Sequence, residues 1–355
     1  MRLYNVEIFD SNFNFKSSHP ISDRGKYEYD YISISVNKVS VPDIEVEKGD
    51  YIIMTAMNQD EEQIIGIVVS FTDKGMEYEI EYKTFLSITD VDVHYDKSLL
   101  STITLEQWLA DIISDTYVNN ADNMQNIYGL SVTYEAATSN ALLDLEENIG
   151  NLYEILIKAL VNYNVVVDFS IDICKRKINA HVYSNKKKEL YIEADIMNVV
   201  EKKFNFKKSN SSYNKMTVYN SLDETEQQTF YLDTSGNIST TPDASKRIAP
   251  VVFTNIFIKH EDDDKKSFYE EAYEKAFNKL SAEKYDNLIE ISVLEDDELV
   301  NPHDLNVGQN TVIIHDNMKY RTILTGMEIE NGIAKLMFGT VRLELTKKIK
   351  RRMYL

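Results

Sequence analysis

Three residue types that shape most folds are scarce in this chain of 355 residues: cysteine, glycine and proline. The single cysteine, Cys174, excludes a disulfide within one chain, which fits assembly in a reducing cytoplasm. No paired histidine or positive helix end is expected beside it, so we predict an unreactive thiol. Glycine (11 residues) and proline (5 residues) are each below half of their average usage of about 7% and about 5%. Their scarcity excludes a glycine-rich phosphate loop and a flexible linker, so we expect the domains to abut directly.

Long apolar runs and positive charge are also missing. No stretch approaches the roughly 20 apolar residues of a membrane span, and residues 1–7 lack the apolar core of a signal peptide. We therefore expect neither membrane insertion nor Sec export. The formal net charge of −20 repels nucleic acid and anionic lipid, which argues against a sequence-specific DNA-binding protein. The same charge is compatible with DNA that passes nearby without sticking.

The residue constellations that mark enzymes and metalloproteins are absent from the sequence. Its six histidines lack the H-x-x-x-H spacing of a helical metal site, and no G-x-S-x-G motif occurs. His181 lies between apolar residues of a predicted strand, so we interpret it as structural. The acidic run 261–264 lacks the glycine and terminal glutamate of a calcium loop. With 58 acidic residues, some carboxylate pair always looks like a glycosidase site, so that signal is uninformative. The sequence predicts no catalytic residue, metal site or cofactor.

A pattern that occurs near both ends is the most informative feature that the sequence does contain. Each copy predicts a β-meander with one glycine before the first strand, one within the second strand and one in the last turn. The first two glycines are 17 positions apart in one copy and 18 positions apart in the other. A glycine inside a strand indicates a bulge or bend that curls a small sheet into a barrel. The glycines of this predicted repeat are Gly49, Gly66 and Gly75 near the N-terminus and Gly308, Gly326 and Gly332 near the C-terminus.

Between the two copies the pattern changes to helices. Capping residues followed by apolar residues at helical spacing predict helices after Thr104, Asn151 and Ser267, the last with Tyr269 and Tyr273 on its apolar face. Alternating residues predict one strand over 27–36, and a hairpin over 165–171 and 178–183. We therefore predict a β-rich α+β fold in which two small β-barrel-like domains flank a central α/β module, with one helix embedded in the C-terminal barrel. The predicted domains are an N-terminal β-barrel-like domain (1–90), a central α/β module (91–200) and a C-terminal β-barrel-like domain with an inserted helix and a basic tail (201–355).

The compact basic run of the sequence lies in that tail. It comprises Lys347, Lys348, Lys350, Arg351 and Arg352. We interpret it as a solvated tail, and the alternative is an electrostatic subunit contact with an acidic neighbour.

Four segments in the second half of the chain carry a likeness to a known protein family: 213–220, 231–238, 247–251 and 307–346. They resemble the baseplate hub and tail-associated proteins at the tail tip of tailed bacteriophages. The likeness covers most of the chain in the order of its elements and is specific at residue level in those segments. The hub portion of this family has no catalytic motif that could be transferred, so the resemblance implies no active-site residue.

The resemblance implies a structural protein of the virion that is made in the host cytoplasm and sits at the tail tip. Such hubs are homotrimers in which each chain gives two similar barrels to one ring. Three chains then present six quasi-equivalent units to the sixfold tail tube while they keep threefold symmetry below, and the ring guides or gates DNA during ejection. The implied partners are other copies of the chain, the distal tail or tube-end protein, the tape measure protein, and receptor-binding or lytic proteins below the hub. Neither sequence-specific nucleic acid nor a membrane is among them.

Many members of this family continue into a peptidoglycan hydrolase or a fibre-like extension. Because this chain ends at Leu355, we expect a hub-only protein that leaves host binding and wall digestion to separate chains. Two alternatives stay open. One is a tail-associated cell-wall hydrolase whose carboxylates the sequence does not reveal. The other is a carbohydrate-binding adhesin, since β domains with many tyrosines, here 23, also suit stacking on sugars.

Overall fold

The structure is a computed structural model that describes residues 3–22, 25–57, 63–145, 148–186, 189–195, 199–205, 213–223, 225–233, 236–242, 253–261, 266–281, 284–285 and 287–340.

The helices begin where the sequence predicts them. The α-helices in these ranges are α1 (Leu105–Tyr117), α2 (Leu152–Tyr163) and α3 (Phe268–Ser281). Each follows a side chain that accepts a hydrogen bond from a backbone N–H three residues on; the pairs are Thr104 with Gln107, Asn151 with Glu154 and Ser267 with Glu270. In the described part of the chain, no helix has the length and apolar character needed to cross a membrane.

The N-terminal sheet is antiparallel throughout. Its strands are β1 (Tyr4–Phe9), β2 (Phe15–Ile21), β4 (Asn37–Val41), β5 (Tyr51–Ala56), β6 (Gln63–Asp73) and β7 (Tyr78–Thr84). They lie in the order β2-β1-β5-β6-β7-β4. Alternate side chains, among them Val6, Ile52 and Ile80, are fully buried in one apolar core, as the period of two in a strand requires.

The middle of the chain packs helices against a small sheet. Its strands are β9 (Leu130–Tyr134), β11 (Val165–Asp172) and β12 (Lys177–Ser184), in the order β11-β12-β9, and β8 (Asp92–His94) pairs separately with β10 (Ile149–Asn151). β11 and β12 form the predicted hairpin. Trp108 of α1 and Leu156 of α2 are buried in a core that also contains Tyr51 and Phe85 from the N-terminal part and Ile323 from the C-terminal part. The module therefore packs against both ends of the chain.

The C-terminal sheet collects strands from distant parts of the sequence. Its strands are β3 (Tyr27–Asp30), β13 (Leu190–Glu193), β14 (Glu201–Asn205), β19 (Leu288–Leu294), β20 (Asn310–His315), β21 (Met318–Glu330) and β22 (Ile333–Phe338). The order is β13-β20-β21-β22-β19-β14, with β3 paired to the second half of β21; β13 and β20 are parallel and the other pairs antiparallel. The predicted fold class, two curled sheets that flank an α/β module, is confirmed.

The third helix packs on a sheet of its own. The strands β15 (Lys215–Asn220), β16 (Gln227–Leu232), β17 (Ile238–Ser239) and β18 (Phe253–Ile258) lie in the order β17-β16-β15-β18. Ala272, Ala276 and Leu280 of α3 are fully buried against Met216 and Phe230 of this sheet. The helix thus lies within the C-terminal part of the chain, as predicted, but covers this smaller sheet. Its Tyr269, expected on the apolar face, is 50% exposed.

The prediction of one strand over 27–36 is wrong in its second half. β3 ends at the buried Asp30, whose carboxylate accepts a hydrogen bond from the N–H of Ile32 at 3.0 Å and turns the chain. β4 then begins at Asn37 in a different sheet. The alternation in the sequence therefore spans a strand of the C-terminal sheet and the turn that leads from it to β4 of the N-terminal sheet.

Candidate functional site: two matched motifs

The same four-strand motif occurs at both ends of the chain. We call β4, β5, β6 and β7 the N motif and β19, β20, β21 and β22 the C motif. In both motifs the second, third and fourth strands form the predicted meander, and the first strand pairs antiparallel with the fourth. The resemblance therefore includes one strand more than the sequence repeat predicts.

Hydrogen bonds at the start of each meander fix how the two motifs correspond. In the N motif the N–H of Gly49 donates to the carbonyl of Val68, and in the C motif that of Gly308 donates to the carbonyl of Leu324, each at 2.9 Å. Both glycines have positive φ values, 93° and 86°, a conformation that favours glycine. Gly49 thus corresponds to Gly308, and Val68 corresponds to Leu324.

A β-bulge follows at the same point in both motifs. The register of β6 with β7 shifts between Val68 and Ser70, and that of β21 with β22 shifts between Leu324 and Gly326. The extra residue is Val69 in one strand and therefore Thr325 in the other. A bulge bends its strand and increases the local twist, so both sheets curl at equivalent places.

The predicted glycine pairs do not all occupy equivalent positions. Gly66 lies before the bulge and leaves room for an aromatic ring, since a Cβ there would be 2.5 Å from Cδ2 of Tyr82. Gly326 lies directly after the bulge and leaves room for β3, since a Cβ there would be 2.9 Å from the carbonyl oxygen of Tyr29. By hydrogen-bond register Gly326 corresponds to Ser70. The two mid-strand glycines therefore accommodate different neighbours.

The last turns also differ by one position. Gly75, with φ 87°, is the first of two residues between Lys74 and Glu77, which is the glycine position of a type II′ turn. Gly332, with φ 76°, is the second turn residue and follows Asn331, which also has positive φ, as in a type I′ turn. Gly75 therefore corresponds to Asn331. Both turns suit the twist of a hairpin, although their sequences reach that geometry differently.

Buried polar contacts join the C motif to the central module and to the residue that follows β3. Tyr31, directly after β3, donates its N–H to the carbonyl of Thr325 at 2.9 Å, and its hydroxyl accepts from the N–H of Val167 in β11 at 3.0 Å. Complete burial raises the pKa of Tyr31 well above its ordinary value, so it stays neutral. Asn164, the left-handed cap of α2, donates its amide to the carbonyl of Gly308 at 2.8 Å and to Oδ1 of Asn310 at 2.9 Å.

Two polar clusters bear on the predicted absence of reactive groups. Tyr183 donates to Oδ2 of Asp168 at 2.5 Å, and burial raises the pKa of Asp168. A second carboxylate, that of Glu135, belongs to the same cluster, with its Oε1 3.6 Å from Nε2 of His181. His181, interpreted as structural, lies 2.9 Å from Thr133 Oγ1 and stacks on Tyr183. Cys174 is exposed in the turn between β11 and β12.

The second cluster consists of Asp195, His315 and Asp316, whose side chains are close enough together to suggest a metal site. Oxygen or nitrogen atoms of Asp195, His315 and Asp316 lie within 4.8 Å of one another. However, Lys202 Nζ donates to Asp195 at 2.7 Å, and this hydrogen bond is the main reason that the pKa of Asp195 is lowered. The carboxylate already has a cationic partner, so we assign no metal to it. No sequence spacing could have suggested the cluster, because its members come from β-segments about 120 residues apart.

The remaining predicted site residues are those of the basic run, Lys347, Lys348, Lys350, Arg351 and Arg352, and they lie outside the described residues.

Solved structures with the same fold are tail proteins. The prophage tail protein gp18 of Listeria monocytogenes EGD-e is 14% identical, with a TM-score of 0.53 over 99% of this chain and 98% of that one. The tail protein from Neisseria meningitidis MC58 is 11% identical, with a TM-score of 0.53 over 95% and 96%. This chain has the tail-protein fold. The 43 kDa tail protein of prophage MuSo2 from Shewanella oneidensis supports the same assignment, with 14% identity and a TM-score of 0.51 over 95% of this chain and 98% of that one.

The tail-protein fold therefore extends over nearly the whole chain, as the resemblance of segments 213–220 and 307–346 implies. At these identities the likeness establishes architecture alone. No protein-family model matches the sequence, and no curated protein matches it significantly.

Proposed function

We propose that this protein is a structural component of a bacteriophage tail tip. Three copies form a hub ring that joins the sixfold tail tube, or its distal tail protein, to the threefold tip. The observation that carries the proposal is the matched pair of four-strand motifs within one chain of the tail-protein fold.

The match between the two motifs explains how three chains can bind a partner with sixfold symmetry. Most protein oligomers have closed symmetry, and a closed ring of three chains with two motifs each contains six similar units. Both motifs share strand order, the Gly49 and Gly308 hydrogen bonds, and a bulge at the same register. Each motif can therefore offer the same surface to one subunit of a sixfold partner, while the parts that differ between them keep the threefold symmetry.

The charge of the chain suits a ring through which DNA passes. A net charge of −20 repels the phosphate backbone, so DNA would slide along such a ring, or be held back by a closed one, without being bound. A channel lined mainly by lysine and arginine would contradict this part of the proposal.

The proposed partners follow from position in the tail. The distal tail or tube-end protein would bind the face that the six motifs share, and the tape measure protein would end at the ring. Receptor-binding or lytic proteins would attach below. The basic run that begins at Lys347 is a candidate electrostatic contact with an acidic surface of one of these partners or of another copy.

Size-exclusion chromatography with light scattering tests the proposal. We expect a mass of three chains of 41.1 kDa each, alone or with the tube-end protein, and six-lobed rings in electron micrographs. A chain that stays monomeric under both conditions would contradict the hub. Two further outcomes identify the alternatives: clearing of a peptidoglycan zymogram indicates a hydrolase, and a monomer that shifts only with glycan indicates an adhesin.

A further inference from the structure

One strand edge is covered in the C motif and open in the N motif. In the C motif β3 lies along the second half of β21, with Tyr29 opposite Met327 and Tyr27 opposite Ile329. The register about the bulge makes Phe71 of β6 equivalent to Met327, and Asp73 equivalent to Ile329. Among the described residues, β6 pairs with β5 and β7 alone, so no strand of this chain lies along that edge.

The backbone groups at this edge point outward. The last hydrogen bond of the β6–β7 hairpin runs from the N–H of Lys74 to the carbonyl of Glu77 at 2.9 Å. Hydrogen-bonded and non-hydrogen-bonded pairs alternate along an antiparallel ladder, so Asp73 and Phe71 occupy non-hydrogen-bonded pairs with β7. Their N–H and C=O groups therefore face away from β7, as those of Met327 and Ile329 face β3.

The open edge is also accessible and weakly protected. Residues 70–73 are all exposed, and Phe71 as a whole residue is 42% exposed. Natural edge strands are commonly protected from pairing by proline, by lysine or by a bulge within the edge. Residues 70–73 contain neither proline nor lysine, and the bulge at Val69 precedes them. Asp73 is the one charged residue of the four.

A second edge that differs between the motifs is already partly covered. β14 lies along β19 in the C motif, whereas the corresponding edge of β4 has no paired strand among the described residues. There the amide of Asn37 donates to the carbonyl of Glu28 at 3.0 Å and its Oδ1 accepts from the N–H of Glu28 at 2.7 Å. Gly25 also lies so near that a Cβ would be 2.6 Å from the Lys38 carbonyl oxygen. The edge of β6 is therefore the accessible one.

We propose that residues 70–73 of β6 accept an extended segment from a second copy of this chain, in the place that β3 takes on β21. This inference rests on the hub ring proposed above. In a ring of three chains the N and C motifs alternate, so two kinds of junction occur. Within a chain, β3 carries the junction to β21 of the C motif. Between chains, the C motif of one copy lies beside the N motif of the next, where the equivalent edge is that of β6.

Hydrogen exchange measured on the trimer and on its dissociated monomer tests the inference. We expect the amides of Phe71 and Asp73 to exchange roughly tenfold more slowly in the trimer, since each gains an interchain hydrogen bond. The amides of Met327 and Ile329 serve as the internal control, because β3 already protects them in the monomer.

The other outcomes separate this inference from the hub itself. A trimer in which both amides exchange as fast as in the monomer overturns the inference and leaves the ring intact. A chain that never associates overturns the ring, and the inference with it. Protection that appears only when the tube-end protein is added assigns the edge to that protein and overturns the second copy as its occupant.

A pair of variants at one position gives an independent test. Phe71→Pro removes the outward N–H but spares the ladder with β7, whereas Phe71→Ala removes the same ring and keeps the N–H. The proline variant loses one hydrogen bond at each of the three junctions, so we expect the equilibrium constant of each junction to weaken about tenfold relative to the alanine variant and the overall dissociation constant of the trimer to rise about a thousandfold. Equal dissociation constants in two folded variants would contradict strand addition here. Should Phe71→Pro fail to fold, the exchange measurement decides alone.

Discussion

The rings of Tyr82 and Phe338 occupy equivalent places at the two ends of this chain. Each lies on the last strand of its motif, opposite the residue that precedes the bulge, and each is fully buried. Each sheet therefore curls over a buried aromatic ring at the equivalent position, although little else in the two sequences is shared. This equivalence supports the view that one structural unit is used twice.

Truncating either ring should destabilise the fold strongly. Tyr82→Ala or Phe338→Ala leaves a cavity in a closed core and is expected to lower the free energy of unfolding by about 3–5 kcal/mol. Urea unfolding of the monomer measures this change. The matched control is Tyr128→Ala, since Tyr128 is 53% exposed, and a surface change of this kind costs about 0.5 kcal/mol or less. A loss as small as the control would show that the rings do not support their sheets.

Gly66→Ala should be costly because of Tyr82. The added Cβ would lie 2.5 Å from Cδ2 of Tyr82 and 2.8 Å from the carbonyl oxygen of Lys83, so the expected loss is about 1–3 kcal/mol. In a Tyr82→Ala background the ring clash disappears and only the carbonyl contact remains. A double-mutant cycle should therefore give a coupling energy between the two changes. Additive losses would contradict the role assigned to Gly66.

Asn164 should be important both for its amide and for its backbone. Asn164→Ala removes two donors to the C-terminal part, leaves the buried carbonyl of Gly308 without this partner and places alanine at φ 60°. The expected loss is about 2–5 kcal/mol, the sum of a buried polar penalty and left-handed strain. Asn164→Gly is the matched control, because it removes the amide and relieves the strain, so it should unfold at a higher urea concentration than Asn164→Ala. The reverse order would contradict this assignment.

The junction between β3 and β21 should weaken in acid. Burial by itself raises the pKa of Glu328, but hydrogen bonds from Lys26 at 2.8 Å and Lys335 at 2.9 Å outweigh it, and the pKa lies below its usual 4.5. A depressed folded-state pKa contributes stability above the unfolded value, and that stability is lost as pH falls through the folded value. Below pH 4.5 the chain should therefore lose stability, measured as its melting temperature.

Glu328→Gln should abolish that part of the pH dependence and lower stability at pH 7. Glu330→Gln is the matched control, because Glu330 is exposed two residues further along the same strand. The control should keep the wild-type pH profile. If both variants titrate like wild type, the two lysines do not stabilise the ionised form of Glu328.

The sequence predicts the elements of this fold better than their pairing. The helix caps Thr104 and Ser267 and the meander after Gly308 are local patterns, and the structure has each of them. The correspondence of Gly66 with Gly326 fails, since glycine spacing cannot distinguish room for a ring from room for a strand.

Contacts between distant segments carry no local signal. The sequence of β3 has the alternation of any exposed strand. Its pairing with β21 depends on residues almost 300 positions away in the sequence. Asn164 looks like an ordinary helix cap, and only the packed structure directs its amide to Gly308. The pairing of β19 with β22, which adds a fourth strand to the C motif, is likewise evident only from the register of the structure. These contacts assemble the C motif and join it to β3 and the central module, and the proposed ring depends on them.

Single-particle electron microscopy of the purified protein can show whether the two motifs form one ring. We expect particles of three chains in which N and C motifs alternate around one axis, related by successive rotations of about 60° at the same radius. Particles in which the two motifs lie at different radii or heights, or in which one motif takes no part in the ring, would contradict it.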